Sequence, residues 1–283
     1  MAAFTNFATL SYNGGTTNSN IVTGELLEII SATKTAVMND YSAKDDVAFV
    51  ISIVNSGSTP VNGLSISDDL GVYELDETTL YPLEYTEGSV RFYVNGILQA
   101  APAVTAGPPL VISNINIPAG GNAVLIYESA VTNYAPLGTD ASITNTATIT
   151  GGGLSSPVTA AETITTEQRA DLTISKAVCP AVVAENGQLT YTFVIENIGN
   201  TEASAADNVI LTDIFDPILG ITAVTLNGTP QVSGVNYTYN QTTGEFATLS
   251  GQITVPAASY TQNDNGTWTV TPGTAVLVIT GTV

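Results

Sequence analysis

From Phe4 to Leu10 the chain alternates with a period of two, which puts Phe4, Asn6, Ala8 and Leu10 on one face of an extended strand and Thr5, Phe7 and Thr9 on the other. The same pattern returns from Ile143 to Ile149, where Asn145 again stands on the apolar face. Between and after these strands, short runs rich in Val, Ile, Thr and Tyr alternate with clusters of Gly, Asn, Pro and Ser. Asn-Gly pairs at Asn62, Asn95, Asn186, Asn227 and Asn265 are turn and hairpin signals. Helical periodicity is nearly absent. Many short strands at regular spacing predict an all-β sandwich.

The strands repeat in order. Lys34 and Lys176 stand 142 residues apart, as do Asn55 and Asn197; Asp68 and Asp213 stand 145 apart, Ala123 and Ala275 152, and Asn6 and Asn145 139. The offsets drift only as loops change length. Three segments follow. Residues 1–25 form a strand and a return strand around the Asn13-Gly14-Gly15 turn, residues 26–166 the first full domain, and residues 167–283 the second. The second has no counterpart of the Asn145 strand before Val283, so it is expected to lack its final strand or strands. The opening strand is expected to be that missing piece, carried at the other end of the chain. The junction Thr165–Ala170 has no Gly, Pro or Ser, which predicts limited freedom between the domains.

Composition narrows the function. Lys and Arg number 5 against 25 Asp and Glu, a net charge of −20, which argues against nucleic acid and anionic membrane surfaces as partners. There is no His, so Ser/His/Asp and Cys/His catalytic units are excluded along with His metal sites. The one Cys, Cys179, rules out an intrachain disulfide and a Cys-cluster metal site. Its expected role is a small buried residue. No run approaches the about 20 apolar residues of a membrane-spanning helix, and no signal peptide is visible at the N-terminus. No cofactor or metal is expected.

The candidate chemistry comes from strand parity. Lys34 shares a face with Ile30, Ala32 and Ala36, and Lys176 with Leu172, Ile174 and Val178. Asp68 lies with Leu64 and Ile66, Asp213 with Val209 and Leu211, and Asn145 with Ile143, Ala147 and Ile149. A Lys, an Asp and an Asn thus point at one apolar core. Isolated charges there cost several kcal/mol each, so the three make sense as a mutually satisfying set. The plainer alternative is a snorkelling Lys, an Asp in a turn and an Asn capping a loop. A desolvated lysine loses its proton more readily and becomes a nucleophile. A neighbouring carboxyl can polarise the Asn carbonyl and move protons. Attack of the Lys34 amine on the Asn145 amide, with Asp68 as acid, would expel ammonia and leave a crosslink. Lys176, Asp213 and Asn6 of another copy form the second set. Glu128 competes with Asp68, but its counterpart is Thr280, so it is not the shared acid. Asp69 falls on the opposite face and is expected to be exposed.

Thr33-Lys34-Thr35, Asn55-Ser56-Gly57, Ser67-Asp68-Asp69 and Ile143–Thr148, with Ser175-Lys176-Ala177, Asn197-Ile198-Gly199 and Thr212-Asp213-Ile214, resemble the conserved-repeat domain of bacterial surface proteins known as domain of unknown function eleven. The resemblance spans nearly the whole chain. It implies immunoglobulin-like sandwiches in a surface array, stalk or fibre. The chain is also similar to the self-crosslinking domains of Gram-positive pilins and adhesins, in which a Lys and an Asn are joined by an isopeptide bond beside an acidic residue. The expectation is two tandem Ig-like sandwiches and an N-terminal donor hairpin (Phe4, Asn6, Ala8 and Leu10 inward). The chain would be a subunit of an extracellular fibre on a cell or spore surface, polymerising head to tail with itself and enzymatic only in its own crosslinking. Any tip or anchor protein is left open. The alternative is a fragment of a multi-repeat adhesin or stalk that binds a ligand as a monomer.

Overall fold

In the computed structural model, which describes residues 2–283 with the side chains of Ala2 and Leu26 set aside, the chain is all-β. Met1, where the hairpin segment was expected to begin, lies outside the described residues. Two hydrophobic cores form: one spans Ile30 to Ile164, the other Leu189 to Ile279. Each fills the space between two sheets, as alternating inward residues require.

In the first sandwich, one sheet runs in the order Ile97–Leu98, Arg91–Val94, Asn122–Val131, Asp46–Asn55, Ile30–Ala36. The last of these is the first lysine strand. The opposing sheet runs Ala103–Thr105, Leu110–Ile117, Val61–Asp68, Ser142–Gly151, Val158–Thr166, Asp40–Tyr41. Here Val61–Asp68 is the acid strand, Ser142–Gly151 the closing strand and Val158–Thr166 the return strand. The acid strand is therefore flanked on both sides, with Asp68 opposite Leu110 on one and Ala147 on the other.

The second sandwich keeps the first sheet: Leu172–Cys179, the second lysine strand, then Gln188–Asn197, Gly273–Thr282, Gly220–Leu226 and Thr229–Pro230. Its opposing sheet has three strands, Thr212–Ile214, Glu245–Thr248 and Tyr237–Tyr239. Asp213 has Phe246 opposite it where Asp68 has Leu110, but no strand lies on its other side among the described residues. The closing and return strands have no counterpart there. The expected strand from Val209 to Asp213 is correspondingly short: only Thr212–Ile214 is extended and paired. A strand with one neighbour loses half its ladder bonds, and the segment before it coils into a single 3-10 turn at Ala205–Asp207.

The N-terminal segment is a hairpin. Ala2–Asn6 pairs with Val22–Leu26, and Thr9–Tyr12 with Gly15–Asn18. It is not the single unbroken strand expected from Phe4 to Leu10. Between the pairs Asn6–Val22 and Thr9–Asn18 the return half holds one residue more, a bulge where Ser19 Oγ accepts from the Ala8 amide. Residues 3–23 are exposed on both faces, including Phe4, Phe7, Leu10 and Tyr12. The Phe4 ring lies against Gly24, where a Cβ would fall 2.5 Å from its Cζ, so a larger residue there would push the exposed ring aside.

One buried asparagine ties the loops of each sandwich together. Asn55 Nδ2 donates to the carbonyls of Thr59 and Pro118, while its Oδ1 accepts from Gly57 N–H. Asn197 does the same with Thr201, Pro256 and Gly199. At the junction, Asn200 donates to the Glu167 carbonyl and accepts from the Thr139 hydroxyl and the Arg169 amide. Gln262 of the second sandwich donates to Tyr73 of the first, 2.8 Å away. Among the described residues no helix is long and apolar enough to cross a membrane.

Candidate crosslinking sites

In the first sandwich, the lysine strand brings Lys34 in from one sheet and the acid and closing strands bring Asp68 and Asn145 in from the other. All three are buried: Lys34 is 3% exposed, Asp68 and Asn145 0%. Lys34 Nζ donates to Asp68 Oδ2 at 2.6 Å. Its ammonium lies 4.9 Å from the Phe49 ring centroid and 5.8 Å from that of Tyr127. Asp68 Oδ1 accepts from the Leu70 amide. Burial lowers the Lys34 pKa, against the opposing pull of the Asp68 carboxylate. A lowered pKa is the direction that makes an amine available as a nucleophile.

Asn145 was expected to meet the acid directly. The structure instead interposes Tyr127. Its hydroxyl donates to Asp68 Oδ2 at 2.7 Å and accepts from Asn145 Nδ2 at 3.1 Å. Asn145 Oδ1 is buried with no hydrogen-bond partner. An orphan carbonyl oxygen in a core is costly as a resting arrangement. Tyr127 lay within the recognised strand Ala123–Tyr127, on the buried face, yet carried no assigned role. The signal that could have found it is a hydroxyl on a core position otherwise filled by apolar side chains. Asp69 also departs from expectation. It is half-buried, because its Oδ1 accepts from the Gly71 and Thr146 amides and so fastens the acid strand to the closing strand.

The second sandwich holds the same pair in the open. Lys176 Nζ donates to Asp213 Oδ2 at 2.5 Å, with the Lys176 side chain 42% exposed and that of Asp213 16%. Rings still surround the ammonium: Tyr191 at 4.8 Å, Phe193 at 5.4 Å and Phe215 at 5.6 Å. Among the described residues no strand covers this side, so Lys176 stands on an open face of its core. Ile174, Val178, Ile210 and Ile214 around it are exposed as well. An open groove of about 820 Å³ runs beside Asp213, lined also by Ile214, Tyr239 and Phe246. Cys179 is exposed, not buried, because it ends an edge strand on the face away from the core. Asn6, Ala8 and Leu10 are exposed on the hairpin.

No family model and no curated protein sequence matches the chain. Among solved structures, the chain is similar to the major pilin subunit of Bacillus cereus, at 11% identity over 96% of this chain and 73% of that one, with a TM-score of 0.37. The collagen-binding domain of a Staphylococcus aureus adhesin matches at 14% identity over 50% of this chain and 99% of that domain, with a TM-score of 0.32. A family 123 glycoside hydrolase from Clostridium perfringens matches at 12% identity and a TM-score of 0.31, and this chain spans 27% of its length.

Proposed function

We propose that the chain is a structural subunit of an extracellular surface fibre, assembled head to tail as the hairpin of one copy completes the second sandwich of the next. One contrast carries the reading. The Lys34–Asp68 pair is sealed beneath a hairpin, while the equivalent Lys176–Asp213 pair lies open, and a hairpin of matching sequence stands free at the N-terminus. An exposed sheet edge beside an apolar groove is a site for an added strand. The pairing Ala147–Asp68, Thr148–Ser67, Ile149–Ile66 transposes to Ala8–Asp213, Thr9–Thr212, Leu10–Leu211. The contact is heterologous and need not close, so it propagates into a filament.

Two amide bonds would make the polymer permanent. Lys34 joins Asn145 within the first domain, with Asp68 as the acid. Lys176 joins Asn6 of the neighbouring copy, with Asp213 as the acid. In each, the lysine Nζ–Cγ bond forms and the Cγ–Nδ2 bond breaks. Two protons leave the ammonium and depart with the nitrogen as an ammonium ion, so the carboxylate ends as it began. The partner is the chain itself, and residues 1–25, 26–166 and 167–283 act as donor, first and second domain. The experiment is denaturing electrophoresis after boiling. A ladder of covalent multimers that collapses to monomer in Asn6→Ala is the expected result. A stable monomer with a free hairpin would instead favour a monomeric adhesin fragment.

A further inference from the structure

Tyr127 is the one hydroxyl between the acid and the amide, and it belongs to neither the lysine nor the acid strand. Its place is fixed by packing: the ring stacks on Phe49 at 5.6 Å, and the two residues stand directly opposite in the ladder. Among the described residues, the Asp68 carboxylate bonds Lys34 Nζ, Tyr127 Oη and the Leu70 amide. Its route to Asn145 therefore runs through the phenol. Resting on the crosslinking reading above, we infer that Tyr127 is a catalytic residue of the Lys34–Asn145 reaction, relaying a proton from Asp68 to the departing amide nitrogen.

The direction of the hydrogen bonds explains how. An amide nitrogen has no free lone pair, so in the resting site Nδ2 donates to Tyr127 Oη and the phenol donates onward to Asp68. Asp68 Oδ2 first takes a proton from Lys34 Nζ. The freed amine then adds to Asn145 Cγ, and the carbonyl electrons move to Oδ1. At that moment Nδ2 becomes tetrahedral and gains a basic lone pair. Asp68 now carries the proton, so the chain reverses: Asp68 donates to Oη, and Oη donates to Nδ2. The Cγ–Nδ2 bond breaks, Oδ1 returns its electrons, and the second Nζ proton follows the same path to give the ammonium ion. Tyr127 gains and loses one proton at each pass and ends neutral. Burial, reinforced by the adjacent Asp68 carboxylate, holds the phenol well above its usual pKa, so it keeps the proton it must deliver.

The second sandwich has no such hydroxyl at that place. Tyr191 occupies the position of Phe49, and opposite it Ile279 occupies that of Tyr127. The intradomain reaction thus has a relay that the open site lacks.

The test uses full-length chain made in a short cell-free pulse and followed by intact mass and by peptide mapping of the Lys34–Asn145 branch. Tyr127→Phe keeps the ring and removes only the hydroxyl. It should slow loss of ammonia at this site by about 100-fold or more, the usual scale of a lost general acid. Circular dichroism of Tyr127→Phe beside the uncrosslinked Lys34→Ala chain checks that both are folded. Crosslinking of folded Tyr127→Phe at the wild-type rate would overturn the relay and leave the crosslink intact. A wild-type chain that never loses ammonia at Asn145 would overturn the crosslink itself. An unfolded Tyr127→Phe chain would reduce the hydroxyl to a structural part and overturn the relay too.

Discussion

In the first sandwich, Lys34 and Asp68 lie 2.6 Å apart with both side chains fully buried; in the second, Lys176 and Asp213 lie 2.5 Å apart with the lysine side chain 42% exposed. The pair geometry is nearly identical, and the surroundings are not. What differs is one hairpin: Ser142–Gly151 and Val158–Thr166 cover the first pair, and among the described residues no equivalent covers the second. The lysine strand registers the loss most plainly. Its inward positions Ile30, Ala32 and Lys34 are buried, half-buried and buried, whereas the equivalent Leu172, Ile174 and Lys176 are half-buried, exposed and exposed. A Lys–Asp pair is therefore a feature each sandwich builds unaided, and the covering strand supplies burial and the amide. A buried pair is costly to break and an exposed one is cheap. The same two residues thus have different weight in the two halves.

The largest expected effect comes from removing the covering piece. Deleting residues 1–12 should abolish detergent-resistant multimers altogether and leave monomers that aggregate through the open edge, as followed by electrophoresis and light scattering. Normal boiling-resistant fibres from the truncated chain would remove the donor hairpin from the picture. Adding a peptide of residues 2–26 in trans should restore cover, raise the melting temperature of the truncated chain and shield Lys176 from amine-reactive labels.

The second effect separates the two acids. Asp68→Ala should cost about 3–5 kcal/mol by denaturant titration, because it strands a buried ammonium, and should abolish the Lys34–Asn145 branched peptide. Asp213→Ala should cost the isolated chain only about 0–1 kcal/mol, since Lys176 keeps its water. Equal costs would mean that cover does not set the energetics of these pairs.

The contrast also shows which parts of the site the sequence could reveal. Period-two alternation was enough to put Lys34, Asp68 and Asn145 on inward faces, because one apolar face against one polar face fixes strand orientation. It could not tell that Lys176 would be exposed, since inward parity says nothing of whether an opposing strand exists. That information lay in the missing repeat instead. Cys179 misled for the same reason: an edge strand lets a usually buried residue face water. Tyr127 was invisible as chemistry because a tyrosine in an Ala-Val-Leu-Ile-Tyr run reads as packing, and only the three-dimensional approach of its hydroxyl to Asp68 and Asn145 gives it a role. The bulge in the N-terminal hairpin was hidden because it adds its residue on the return half, leaving the alternation from Phe4 to Leu10 undisturbed.

The smallest effect is electrostatic and is confined to the covered site. Asn145→Ala removes the crosslink and leaves Lys34 beside Asp68. Burial lowers the Lys34 pKa in the folded chain, from the 10.5 of an ordinary lysine, despite the opposing pull of Asp68, Asp69 and Glu162. The unfolded chain then binds more protons than the folded one between the two values, so stability must rise with pH across that window. The contribution is fully present above the unfolded value and is lost as pH falls through the folded one. Tyr127 acts in the opposite sense. Its raised pKa stabilises the fold by an amount that is complete below about 10 and disappears as pH climbs toward its folded value. In the pH interval just below about 10, where the tyrosine contribution is complete, the lysine is the group that changes. Asn145→Ala should therefore gain stability over that interval relative to Asn145→Ala/Lys34→Met, which lacks the titrating amine. Equal pH dependence of Asn145→Ala and Asn145→Ala/Lys34→Met would show that the hairpin does not control the solvation of Lys34.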